Sequence, residues 1–172
     1  MKKMSVCLLI FLFAWVAMPF CACAQGVKDW KLLPGEGFGP VKLGKPLKIY
    51  AKPLGPLRLT SSSGDSNYLY SDTLSVTIVV GKHDGLIQCI TTTSDKHMTK
   101  EGAYVGMPLT EFFKLYPDYR VPTGGRMISE EMGSDGASCH YNNRELGIWA
   151  CVDGSGTKIV HIGIQPAQKK AP

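Results

Sequence analysis

Apolar residues recur along this chain at two periods. Leu47, Tyr50, Ala51 and Leu54 are spaced i, i+3, i+4, i+7, and Leu109, Phe112, Phe113 and Tyr116 repeat that spacing. Each stripe predicts one apolar helix face. Pro46 and Pro108 suit a first helical position, where a missing N–H costs nothing. Pro53 and Pro117 are expected to stop the helices, because the residue before a proline avoids the α region. Two helices of about two turns result, too short to stand alone, so each must lie on a sheet. The strand signal is denser. Leu74–Val80 and Leu86–Thr91 flank the turn Gly81–Gly85, and Leu146–Val152 and Lys158–Ile164 flank the turn Asp153–Gly156. Gly-rich turns between β-branched runs predict hairpins. Asn67–Tyr70 and Ser138–Tyr141 each predict one more strand before them.

These elements occur twice in the same order. Gly44-Lys45-Pro46-Leu47 opens the first helix and Gly106-Met107-Pro108-Leu109 the second. From Leu74 to Leu146 and from Ile90 to Ile162 the step is 72 residues without a gap. The expected fold is α+β: two tandem strand–helix–β-meander units forming a curved, mostly antiparallel sheet, with two short helices on one side. The boundaries read 25–35 for an N-terminal segment, 36–95 for the first βαβββ repeat, 96–166 for the second, and 167–172 for a flexible tail. The stretches Leu57–Ser66 and Tyr119–Ala137 are the variable connections, and long connections tend to carry function.

Residues 1–24 stand apart. Lys2 and Lys3 precede an apolar run from Val6 to Met18, and Ala22-Cys23-Ala24 follows. Basic start, short apolar middle and A-x-A site are the layout of a secretory signal, with cleavage expected after Ala24. The chain is thus expected to be exported to the periplasm by a Sec-type signal. An alternative is a lipoprotein acylated on Cys23, although Phe20 stands where such signals carry a small aliphatic residue. No later run approaches the ~20 residues of a membrane span.

Composition narrows the function. The 172 residues are 44% hydrophobic and 19% charged, which excludes a disordered tail or a coiled coil. The net charge of +5 falls to +3 without the leader, and no Lys/Arg block marks a nucleic-acid footprint. Cys89, Cys139 and Cys151 remain after the leader. Cys139 and Cys151 flank a hairpin centred on the polar Asn142–Glu145 turn, so a symmetric hairpin sets them face to face, and a disulfide between them is expected in an oxidising compartment. Cys89, within Leu86–Ile90, reads as a buried, inert thiol.

The segments Pro34–Gly44 and Val105–Pro117 resemble a motif of exported bacterial proteins, in which a G-P-x-x-L-G-M-S turn and a short helix precede a β-meander, often in tandem. Pro46 and Pro108 replace the usual Ser/Thr helix cap. The architecture is similar to beta-lactamase inhibitory protein and to the SmpA/OmlA-type envelope lipoproteins. That resemblance implies a protein-binding module of the cell envelope.

Candidate chemistry is sparse. His83, His97, His140 and His161 have no metal-ligand spacing between them, so no metal or cofactor is expected. His140 adjoins Cys139, but neighbouring strand residues point to opposite faces and cannot form a nucleophile–base pair. Asp153–Lys158 departs from a phosphate loop in spacing and reads as a β-turn. The aromatic residues carry more. Tyr68 and Tyr70 share one strand face, and Tyr141 and Trp149 occupy the equivalent region of the second unit. Tyr and Trp supply interface area at low entropy cost. Arg126, Glu130, Glu131 and Asp135 in the long connection are expected to form a charged rim. The sequence-level expectation is a non-enzymatic periplasmic protein that occludes a partner enzyme or toxin, as an inhibitor or immunity protein; the alternative is a structural envelope-assembly factor, lipid-anchored at Cys23.

Overall fold

The computed structural model describes residues 30–117 and 138–168, with backbone alone for 138–141. Arg126, Glu130, Glu131 and Asp135 lie outside the described residues, as do residues 1–29 with the expected leader and cleavage site. A small three-stranded sheet comes first: β1 (Leu32–Leu33), β2 (Gly37–Phe38) and β3 (Val41–Lys42). A 3-10 turn (Leu47–Tyr50) and α1 (Ala51–Leu54) follow. Then come β4 (Leu57–Ser63), β5 (Ser66–Ser71), β6 (Val76–Gly81) and β7 (Ile87–Thr92). The second half contributes α2 (Leu109–Leu115), β8 (Ser138–Asn143), β9 (Ile148–Val152) and β10 (Ile159–Ile164).

The seven later strands form one antiparallel, open sheet in the order β4-β5-β6-β7-β10-β9-β8, so the halves join where β7 pairs with β10. The fold is α+β, mostly antiparallel sheet with two short helical segments. Alternation places Ile78, Val80, Ile90, Ile148, Ala150, Ile162 and Ile164 on one sheet face, where they pack with Leu54 of α1 and Phe112 of α2 in a single core. Both helices therefore cover the same face.

Pairing of β6 with β7 and of β9 with β10 corresponds residue by residue. Ile78 faces Ile90, and Ala150 faces Ile162. Ile78 to Ala150 and Ile90 to Ile162 are both steps of 72 residues. The irregularity in these two pairs matches as well, β6–β7 shifting register around Gln88 and β10–β9 around Val160, whereas β8–β9 carries a shift that β5–β6 lacks. At the junction Ile90 faces Ile164 and Thr92 faces Ile162, two pairs that the same offset exchanges, while Thr91 faces Gly163 between them. The helix entries dock alike, through Gly44 N–H to Ile87 O (2.7 Å) and Gly106 N–H to Ile159 O (2.7 Å).

Four expectations are corrected. Leu57–Ser63 is an edge strand, not a connection, so the first helix is followed by four strands. Leu57 and Leu59 are its only apolar residues and Thr60–Ser63 is polar throughout, so the alternation stops too soon to mark a strand. Leu74 and Leu146 belong to the turns before β6 and β9, which begin at Val76 and Ile148. Pro46 and Pro108 sit one position earlier than expected, as extended residues that precede the helices without a side-chain cap. Pro53 does not stop the first helix; α1 runs through it to Leu54. It is the third residue of α1, where an N–H has no intrahelical carbonyl to meet.

The N-terminal strands tie the halves together. Leu32 N–H donates to Met98 O (2.9 Å), Gly35 N–H to Gly147 O (3.3 Å), and Trp30 stacks on Phe38, whose ring meets His97 edge-on at 4.9 Å. The His97 ring nitrogen touches Leu74 O, which satisfies a side chain that is otherwise buried. A second polar knot holds α2. Tyr116 Oη lies 2.9 Å from both Thr99 Oγ1 and Glu101 Oε2. One phenolic proton cannot serve both. Directed to the carboxylate, it leaves the Thr99 hydroxyl to donate to the phenol oxygen, while Thr99 Oγ1 accepts from Ala103 N–H. Burial first, and Glu101 with it, raises the Tyr116 pKa above that of a free phenol. Tyr116→Phe should cost about 1–3 kcal/mol, because it strands the buried Thr99 hydroxyl. Chemical denaturation measures it, and a loss below about 0.5 kcal/mol contradicts this reading of the knot.

Candidate functional site: the open face of the sheet

The face opposite the core is built by the alternate residues of the same strands. Tyr68 and Tyr70 flank core-facing Leu69 on β5, and Thr77 and Val79 flank Ile78 on β6. Register aligns one row across the whole sheet: Arg58 opposite Tyr70, Tyr70 opposite Thr77, Thr77 opposite Thr91, Thr91 opposite Gly163, Gly163 opposite Trp149 and Trp149 opposite Asn142. Tyr68, Val79 and Cys89 run beside it on the same face, Val79 buried among its neighbours.

Gly163 fixes Trp149. A Cβ at residue 163 would fall 2.0 Å from Trp149 Cε2 and 2.4 Å from Nε1, so the indole lies directly on the glycine backbone. The indole leans from β9 over β10 toward β7, where its N–H donates to the Cys89 sulfur. Trp has only a donor to offer, and the sulfur accepts it. Burial pushes the Cys89 thiol up to about 11, against the smaller opposing effects of that hydrogen bond and of the Ile90 backbone. Cys89 is a free cysteine and half-buried rather than fully buried. Its alkylation by iodoacetamide at pH 8 should run about a hundredfold slower in the folded than in the denatured chain, since thiolate is the reactive form. Equal rates would show that the indole does not cover it.

The first-half end of the face is charged. The Arg58 guanidinium lies 5.5 Å from the Tyr70 ring centroid and 3.6 Å from Asp72 Oδ1. Both ion-pair partners are well exposed, so the bridge itself contributes little. The face as a whole offers aromatic surface at Tyr68, Tyr70 and Trp149, hydroxyls at Thr77 and Thr91, and one guanidinium. That is contact chemistry. Among the described residues no group of three or more His, Cys, Asp or Glu side chains stands together as a metal site. His83 Nε2 meets Asp65 at 3.7 Å on an exposed turn, and Asp153 is spent on its own turn. The Ser155 hydroxyl and the Thr157 and Lys158 N–H groups donate to it, the hydroxyl foremost, and hold its carboxyl below the usual range.

The residues expected at the site fall into four groups. Tyr68, Tyr70 and Trp149 share the open face. Tyr141 is paired through the backbone with Ala150, so the Trp149 row continues through Asn142 rather than Tyr141. Arg126, Glu130, Glu131 and Asp135 fall outside the described residues. Cys139 is directly opposite Cys151 in the β8–β9 register, and a shift between Cys139 and Tyr141 brings it there. Arg58, Thr77, Val79 and Thr91 were not picked out from sequence. Val79 and Thr77 alternate with apolar neighbours, but only strand order shows that they lie between Tyr70 and Trp149.

No protein-family profile and no curated protein matches this chain. Among solved structures it is similar to the uncharacterized protein yfeY from Escherichia coli, at 16% identity and a TM-score of 0.53, over 77% of this chain and 98% of that one. At that identity the likeness is one of fold.

Proposed function

We propose that the chain is an exported, non-enzymatic protein-binding module that docks a partner on the open sheet face and occludes it, as an inhibitor or immunity protein does. The observation behind this reading is the row that carries Tyr70 and Trp149 across five strands, with Tyr68 beside them, on the face the core does not use. Side chains already ordered by Arg58 and by Gly163 lose little freedom on binding, which is what makes aromatic anchors effective. Arg126, Glu130, Glu131 and Asp135 supply the rim and set the encounter rate. The periplasm is its compartment, reached by cleavage after Ala24. The chain is a tandem of one strand–helix–meander unit, as in the exported bacterial proteins it resembles; the matched pairings of β6–β7 and β9–β10 support this.

Tyr70→Ala and Trp149→Ala should each weaken a partner isolated from the periplasm by at least about thirtyfold, the loss typical of buried aromatic hot spots. Isothermal titration against that partner measures it, and full affinity in the double variant refutes the placement. The oxidising compartment makes a second prediction. Cys139 and Cys151 form a disulfide, supported by their direct opposition in β8 and β9. Removing it should cost about 2–4 kcal/mol. Intact mass under non-reducing conditions should show one bond and one free thiol; three free thiols in the exported protein contradict it.

A further inference from the structure

The first helical segment carries a surface that the open face does not explain. No acidic residue occurs between Glu36 and Asp65, while Lys42, Lys45, Lys48, Lys52 and Arg58 all do. Lys42 pairs with Glu36 at 3.5 Å and Arg58 with Asp72 at 3.6 Å. Among the described residues no carboxylate pairs with Lys45, Lys48 or Lys52. These three are exposed, and they flank Ile49, which at 60% is the most exposed large apolar side chain described. The segment turns Leu47, Tyr50 and Leu54 toward the core, so Lys48, Ile49 and Lys52 share its outer side.

The second half provides an internal control. Its helix α2 enters through Pro108 as the first enters through Pro46, yet its lysine is neutralised: Lys114 Nζ lies 2.7 Å from Glu111 Oε1. Unpaired lysines around an exposed isoleucine are therefore particular to the first helical segment and not a requirement of the fold.

We infer that the segment Lys45–Lys52 docks on an anionic phospholipid surface, with the three ammonium groups among the headgroups and Ile49 entering the acyl boundary. Charge complementarity and the central apolar side chain together select this occupant. An acidic protein patch would reward the lysines but not an aliphatic side chain raised among them, whereas a bilayer interface rewards both. The charge attraction acts over about a Debye length, ~10 Å at 0.1 M salt, so it holds the protein at the surface with Ile49 alone reaching the acyl boundary.

Co-sedimentation of the full chain with vesicles tests this. Any binding through its leader, Lys2 and Lys3 included, is common to the parent and its variants, so the difference between them in the salt-sensitive part is the readout. Vesicles containing phosphatidylglycerol should bind more chain at 20 mM than at 500 mM salt, and pure phosphatidylcholine vesicles should show no such difference. Each Lys→Gln change at 45, 48 or 52 should lower the salt-sensitive partition about fivefold, and the triple variant about a hundredfold. Ile49→Ser should lower it about fivefold while leaving capture on polyglutamate beads unchanged. The inference is overturned if the triple variant partitions like the parent. It is equally overturned if phosphatidylcholine serves as well, or if polyglutamate captures the chain through these lysines while phosphatidylglycerol vesicles do not.

Discussion

Gly147→Ala should destabilise the protein by about 2–5 kcal/mol, whereas Ser75→Gly should leave stability unchanged or raise it by up to about 1 kcal/mol. The two residues occupy corresponding turns, before β9 and before β6, and both have positive φ, 71° at Gly147 and 53° at Ser75. A side chain in that region costs about 1–2 kcal/mol. At Ser75 the cost is already present, and glycine removes it while adding freedom to the unfolded chain. At Gly147 a Cβ would also fall 2.3 Å from Gln165 O and 2.7 Å from Gly35 Cα, and neither is a flexible side-chain end. Gly147 O accepts from both Gly35 N–H and Gln165 N–H, so its displacement loosens the N-terminal strands and the chain after β10 together. Overpacking adds about 1–3 kcal/mol to the conformational cost. Urea denaturation of both variants measures the contrast, and equal effects at the two positions contradict it.

Phe112→Ala should cost about 3–5 kcal/mol. Phe112 is the fully buried residue of α2 and the centre of its aromatic contacts, 5.0 Å from the Tyr116 ring and 6.5 Å from that of Phe113. Seven residues cannot hold a helix by their backbone alone, so its stability is the packing of this side chain on the sheet. Because Tyr116 ends the same packed row, the truncation should also loosen the Thr99–Tyr116–Glu101 knot. The loss should therefore be non-additive with Tyr116→Phe, by about 0.5–3 kcal/mol in a double-mutant cycle. Independent effects would show that the knot and the aromatic cluster are separate.

Sequence patterning reached the fold where one face of an element is apolar. The core strands β6, β7, β9 and β10 and both helix stripes declare themselves, because Ile78, Ile90, Ala150, Ile162, Leu54 and Phe112 all meet one core. Strand β4 does not, since on this edge strand only Leu57 and Leu59 alternate before the polar run Thr60–Ser63. The turn at Ser75 was equally hidden: an αL serine looks like any other, and only its counterpart Gly147 signals the conformation. At the site, Tyr68 and Tyr70 are recognisable as neighbours from their spacing of two. Their alignment with Trp149 depends on the β7–β10 junction, a long-range pairing with no local signature. The face-to-face placement of Cys139 and Cys151 was anticipated from a symmetric hairpin. The pairs Asn143–Ile148, Asn142–Trp149 and Tyr141–Ala150 would instead carry on to His140 opposite Cys151, and only the register shift at His140 restores Cys139. The lysines of the first helical segment were not picked out from sequence, because they are spread over Lys45–Lys52 rather than contiguous. They became a surface once Lys42 and Arg58 were seen to be paired and the other three were not.

The central claim is that the sheet face opposite the helices, and not the helical face, receives a protein partner. Photo-crosslinking in living cells addresses it directly, with a benzophenone side chain placed singly at Tyr70 or Thr91 on the open face, or at Ala51 or Thr110 on the helical side. The account predicts a protein adduct of one discrete mass from Tyr70 and Thr91, lost when Trp149→Ala is added, and no adduct from Ala51 or Thr110. Adducts confined to the helical side, or open-face adducts indifferent to Trp149, would contradict it.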